Sequence, residues 1–138
     1  MKIELSRVKG YLLEIRKSST ELKVLIEQND LKPDSIALKA AKYLLIELAE
    51  ATSNTLQHVL AKENGIAVSG YIDTIVKARE HGLVSDELFE RLKPFFDFRN
   101  SLVHRYWIID DSKLIENILK GHADFERFVN EMETYLSR

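Results

Sequence analysis

Ile36-Ala37-Leu38-Lys39-Ala40-Ala41-Lys42-Tyr43-Leu44-Leu45-Ile46-Glu47-Leu48-Ala49-Glu50-Ala51 decides the fold. Its apolar residues recur through Ile36, Ala40, Leu44, Leu48 and Ala51, the spacing of one helical face and not the alternation of a strand. Leu45, Ile46, Leu56 and Leu60 widen that stripe, so the helix is expected to be central and covered on more than one side. Pro33 suits its first turn, because the N–H that proline lacks would be unpaired there, and Asp34 places negative charge at the positive end of the helix dipole. The predicted helix runs from Pro33 to Lys62 and ends at Asn64-Gly65.

Upstream, Val8, Leu12, Ile15, Leu22 and Ile26 mark a helix over Ile3 to Gln28, broken by Asn29-Asp30-Leu31-Lys32. Downstream, Tyr71, Ile72, Ile75 and Val76 give a short helix from Gly70 to Glu80, stopped by Gly82 in the usual position for a glycine beyond a helix end. Ser85 is the predicted cap of the next helix, with Asp86 and Glu87 in its first turn, and Pro94 predicts a kink or a break with restart near Arg91 to Pro94. Asp110-Asp111-Ser112 caps a last helix carrying Leu114, Ile115, Ile118, His122, Phe125, Val129, Met132 and Leu136. With no repeat or linker in sight, residues 1–138 read as one all-α domain, an up-and-down four-helix bundle with one short additional helix.

Composition narrows the function. The absence of cysteine excludes disulfides, thiolate metal sites and cysteine nucleophiles. The net charge is -2, with acidic and basic residues interspersed, which argues against a broad electrostatic grip on nucleic acid and leaves room only for a local positive cleft. Met1-Lys2-Ile3-Glu4 shows no secretory signal and the apolar runs are too short to span a membrane, so a soluble cytoplasmic protein is expected, with no membrane and no DNA partner. Nucleotide-binding glycine motifs and the nucleophile elbow are absent. His58 and His122 fall on apolar stripes, where a hydrogen-bonded core or boundary role is the simpler reading, and His81 precedes Gly82 as a helix-end residue. No two histidines have the helical spacing of a metal pair, so neither a metal nor a cofactor is expected.

The chemistry concentrates in Phe98-Arg99-Asn100-Ser101-Leu102-Val103-His104-Arg105-Tyr106-Trp107. On a helix, Phe89, Leu92, Phe96, Leu102 and Val103 share one arc and Arg99 projects into its middle. Such an arginine is either buried and paired, or the arc faces a partner or a ligand cleft. Glu47, the acid within the stripe of the central helix, is the expected structural partner of Arg99. Asn100 and His104 lie four apart on the edge of the arc, whereas Arg99 and His104 point about 140° apart. Two copies facing each other across a symmetric dimer would bring both residue types round one cleft. Spacing alone leaves a plainer reading equally open: Arg99 as a buried ion pair, His104 as a helix cap, and Tyr106-Trp107 as an aromatic plug.

Arg99-Asn100-Ser101-Leu102-Val103-His104-Arg105-Tyr106 resembles the R-x4-H-x-Y signature of HepT-like HEPN toxins, helical ribonucleases paired with a MntA-type nucleotidyltransferase antitoxin. Tyr106-Trp107, the alanine-rich central helix, the short helix ending in Gly82-Leu83 and the helix after Asp110-Asp111 are similar to the family in the same order. The resemblance implies a HEPN-like bundle, a homodimer with both motifs lining a shared cleft, and metal-independent RNA cleavage. It also implies that Arg99 and His104 are catalytic, with Asn100 supporting, and that Tyr106 accepts AMP from the antitoxin. Two rival readings are a non-catalytic helical subunit that binds substrate or nucleotide for a separate nucleotidyltransferase, and a purely structural dimerisation bundle.

Overall fold

The computed structural model of the chain describes residues 2–103 and 109–138. Among the described residues there are six helices and no strand: α1 (Leu5–Gln28), α2 (Ile36–Asn64), α3 (Gly70–Glu80), α4 (Asp86–Val103), α5 (Asp111–Gly121) and α6 (Asp124–Ser137). α1 packs on α2 and α6, and α4 packs on the same two helices, which closes a four-helix ring. The short α3 lies against α2 and α4, and α5 against α4. The expected all-α bundle is therefore the fold, with the last predicted helix divided in two.

That division has a local cause. The backbone turns at His122-Ala123, directly after Gly121, a poor helix former. A Cβ on Gly121 would lie 3.1 Å from Cε2 of Phe95, so the glycine lets α5 approach α4 closely. Arg91 of α4 then holds both sides of the turn. Its Nε donates to Asp124 Oδ2 and its Nη2 to the Lys120 carbonyl, each at 2.8 Å. Beyond the turn, Phe125 packs on Phe95 with ring centroids 5.2 Å apart, and Phe95, Phe96, Phe125 and Phe128 form the aromatic centre of the core.

Three further expectations change at helix ends and surfaces. Pro33 lies in a turn closed by Ser35 N–H donating to the Lys32 carbonyl, not in the first turn of α2. Asp34 there has φ of +62°, outside the helical region, and Ser35 caps the helix by accepting from Leu38 N–H at 3.0 Å. Ile36 is 84% exposed and Ala40 is also exposed, so the buried edge of α2 begins at Leu38 and Ala41 instead. Finally, α4 continues through Pro94, so the break with restart does not occur there. The proline forfeits a bond to the carbonyl of Glu90, a residue exposed enough for water to replace it.

The short helix behaves as expected. Gly82 has φ of +74°, Leu83 N–H donates to the Ala78 carbonyl at 2.8 Å and Gly82 N–H to that of Arg79, the glycine-dependent helix ending that turns the chain into α4. Ser85 Oγ then accepts from Leu88 N–H and caps α4.

Candidate active site

α2, α3 and α4 meet around the guanidinium of Arg99. Nη2 of Arg99 donates to Oε1 of Glu50 at 3.2 Å, and the guanidinium carbon lies 5.2 Å from the centroid of the Tyr71 ring, within cation–π range. The Arg99 side chain is only 21% exposed, whereas that of Glu50 is 43% exposed. Nε of Arg99 is buried and has no acceptor among the described residues. An arginine in the middle of the apolar arc is thus sheltered and paired, one of the two outcomes its position allowed.

Its partner is not Glu47. That residue is exposed and borders a cleft of about 430 Å³ between α1 and α2, with Glu14, Lys17, Ser18, Glu21 and Tyr43. Glu50, nearly one turn further along, takes the role. Glu47 fell within the inferred stripe because that stripe included Ile36 and Ala40, both of which face solvent.

Tyr71 reaches Arg99 because α3 is tied to α2. Gln57 Nε2 donates to Ser53 Oγ at 3.0 Å and to Thr74 Oγ1 at 3.4 Å, and the Thr74 hydroxyl donates to the Gly70 carbonyl at 2.6 Å. The beginning of α3, which carries Tyr71, is thereby tied to α2 and sets the ring beside Arg99. Asn100 is half-buried next to Arg99, and the Ser101 hydroxyl donates to the Phe98 carbonyl at 2.7 Å. His104, Arg105, Tyr106 and Trp107 lie outside the described residues, so the roles expected of His104 and Tyr106 have no geometry here.

The other histidines have structural settings. His58 is buried and its Nε2 accepts the Glu4 backbone N–H at 3.0 Å; burial, then the nearby Arg7, push its pKa below the usual imidazole value. His81 is exposed at the end of α3, and His122 is half-buried at the turn between α5 and α6. Among the described residues no three His, Asp or Glu side chains converge as a metal site, and no helix is long and apolar enough to cross a membrane.

A concavity of about 690 Å³ lies around Leu83, Ser85, Arg127 and Tyr135. Ser85, which caps α4, and Arg99 are separated by a rise of about 20 Å along the helix axis, so that cavity borders the opposite end of α4. Its arginines are engaged. Arg127 binds Glu87 at 2.8 Å and Glu131 at 3.2 Å, which raises its own pKa and lowers that of Glu87, and Arg79 stacks on Phe89. Size alone therefore does not identify the site.

The chain matches the family model described as ribonuclease HepT-like over residues 8–132. A curated Archaeoglobus fulgidus protein described as a candidate RNase is 26% identical over 103 residues, covering 75% of this chain and 77% of that protein. A solved tri-AMPylated Shewanella oneidensis HEPN toxin in complex with an MNT antitoxin is similar in fold. It has a TM-score of 0.79 at 16% identity and covers 93% of this chain and 97% of that one. A crystal structure of a mutant MntA–HpeT toxin–antitoxin pair gives a TM-score of 0.76 at 17% identity, over 94% and 98% of the two chains. With the family model spanning nearly the whole helical domain, the chain belongs to the HepT-like ribonuclease family and is a ribonuclease.

Proposed function

We propose that this ribonuclease is the toxin of a cytoplasmic toxin–antitoxin pair, acting as a homodimer whose two R-x4-H-x-Y motifs line one RNA-binding cleft. The observation that carries the reading is Arg99 itself: a guanidinium sheltered by α2 and α3, held by a half-exposed carboxylate, five residues ahead of His104 in a HepT-like chain.

The chemistry needs no metal. One His104 takes the proton of the substrate 2′-hydroxyl, the freed oxygen bonds to phosphorus, and the symmetry-related His104 protonates the departing 5′-oxygen. The products are a 2′,3′-cyclic phosphate and a 5′-hydroxyl. Arg99 offers a planar fork to the phosphate oxygens as charge builds on them, and Asn100 supports it. Purified protein is expected to cleave RNA in the presence of EDTA and to arrest growth on induction, both lost in His104→Ala. Harmless wild type, or products ending in 5′-phosphate and 3′-hydroxyl, would overturn the reading.

The partner of the pair is a MntA-type nucleotidyltransferase antitoxin. AMP on Tyr106 would set a bulky phosphodiester beside Arg99 and His104 and compete with RNA for their charge. Tyr106→Phe is expected to keep most of the ribonuclease activity and to escape neutralisation. AMP incorporation into that variant, followed by intact mass, would move the modification elsewhere.

A further inference from the structure

Glu50 and Tyr71 hold Arg99 in different ways. The Glu50 contact is single and long, 3.2 Å, while the tightest arginine–carboxylate contacts elsewhere, Arg16–Glu133, Arg91–Asp124 and Arg127–Glu87, are each 2.8 Å. Glu50 is also twice as exposed as the arginine it pairs with, 43% against 21%, so water stands ready to solvate its carboxylate when it lets go. Tyr71, in contrast, is carried on a helix start anchored through Gln57 and Thr74. A carboxylate and a phosphate present the same kind of oxygen pair to a guanidinium and compete for it.

We propose that Glu50 is an exchangeable counter-ion, occupying in the free protein the place on Arg99 that an RNA phosphate takes, while Tyr71 keeps the guanidinium in position through the exchange. The inference rests on the ribonuclease role given to Arg99 above. In a chain of net charge -2, affinity for RNA has to come from local cations. A carboxylate seated on one of them sets that affinity lower than the arginine alone would give. It also keeps the sheltered charge paired whenever no substrate is bound. Tyr71 is a positioning residue here: it acts through Arg99 and not on the RNA.

The test is binding of a fluorescein-labelled 2′-O-methyl oligoribonucleotide, whose blocked hydroxyl prevents cleavage. Glu50→Gln is expected to bind it about two- to fivefold more tightly, the size of a half-exposed ion pair. That gain should vanish when Glu50→Gln is compared with Glu50 in an Arg99→Ala background, because the carboxylate acts only through the arginine. Tyr71→Leu should weaken binding severalfold, with Tyr71→Phe restoring it through the retained ring face. Unchanged or weaker binding by Glu50→Gln, or a gain that survives without Arg99, would overturn the exchange. Wild-type binding by Tyr71→Leu would remove the positioning role. Failure of the ribonuclease reading looks different: wild type leaves unmodified RNA intact, or Arg99→Ala cleaves it at the wild-type rate, and the inference then falls with it.

Discussion

His58 Nε2 accepts the backbone N–H of Glu4, the residue that caps α1, while the Glu4 side chain pairs with Arg7 instead. Only neutral imidazole can accept in this way. Burial and the charge of Arg7 lower the His58 pKa, with Lys62 adding to the effect and Glu4 opposing it. Because the folded-state pKa lies below the unfolded one of about 6.5, the unfolded chain takes up the proton first as pH falls. The stabilisation is therefore complete above pH 6.5 and is lost progressively below it, down to the folded-state pKa. Melting the wild type at about pH 7.5 and about pH 5.5 should give a lower Tm in acid, and His58→Gln should shrink that difference. A variant that keeps the whole drop would place its origin at another group. At this scale the sequence was informative about type and less so about pairing. The apolar stripe of α2 identified His58 as a satisfied interior histidine, yet nothing in it pointed to an N–H fifty-four residues away. The same limit explains Glu47. Periodicity says that an acid lies near a helix face, but the choice between Glu47 and Glu50 depends on how α2 is rotated against α4, a tertiary quantity.

The elements were legible where the chain carries its own punctuation and illegible where a neighbour supplies it. Gly70 to Glu80 was read with its observed ends because Gly82 marks the stop in sequence. The turn between α5 and α6 is not legible in the sequence because the apolar spacing from Leu114 to Leu136 continues across it, while the group that fixes it, Arg91, lies 29 and 33 residues before the two groups it binds. Gly121 is the residue to change. Alanine would ordinarily gain helix propensity worth about 1 kcal/mol. Here its Cβ would press on Phe95 at 3.1 and 3.3 Å, and Phe95 is buried and already packed on Phe125. Overpacking of a fixed ring costs about 1–3 kcal/mol, so Gly121→Ala is expected to destabilise by a net of about 1 kcal/mol in urea denaturation. A stabilised variant would mean that the ring yields into the cleft of about 230 Å³ bordered by Glu90, Pro94 and Asn117.

At the scale of the whole molecule, the all-α bundle follows from three- and four-residue spacing sustained over 138 residues, whereas the site proposed above is shared between two chains and each would carry only half of it. The proposed chemistry asks one His104 to act as base and the other as acid, so a dimer with a single His104 lacks one of the two proton transfers. This makes activity depend on subunit composition in a calculable way. When wild type and His104→Ala exchange subunits at random, the fraction of dimers with two histidines is the square of the wild-type fraction. An equal mixture should keep about one quarter of the wild-type activity, measured on a fixed concentration of total protein. If each protomer carried a complete site, the equal mixture would keep about one half and the titration would be a straight line. Arg99→Ala provides a contrast within the same experiment. A mixed dimer retaining both histidines and one arginine still has its acid and base, so its titration should lie above the quadratic curve. Overlap of the two titrations would mean that both arginines must hold the phosphate at once, and a linear His104→Ala titration would return the active site to a single chain.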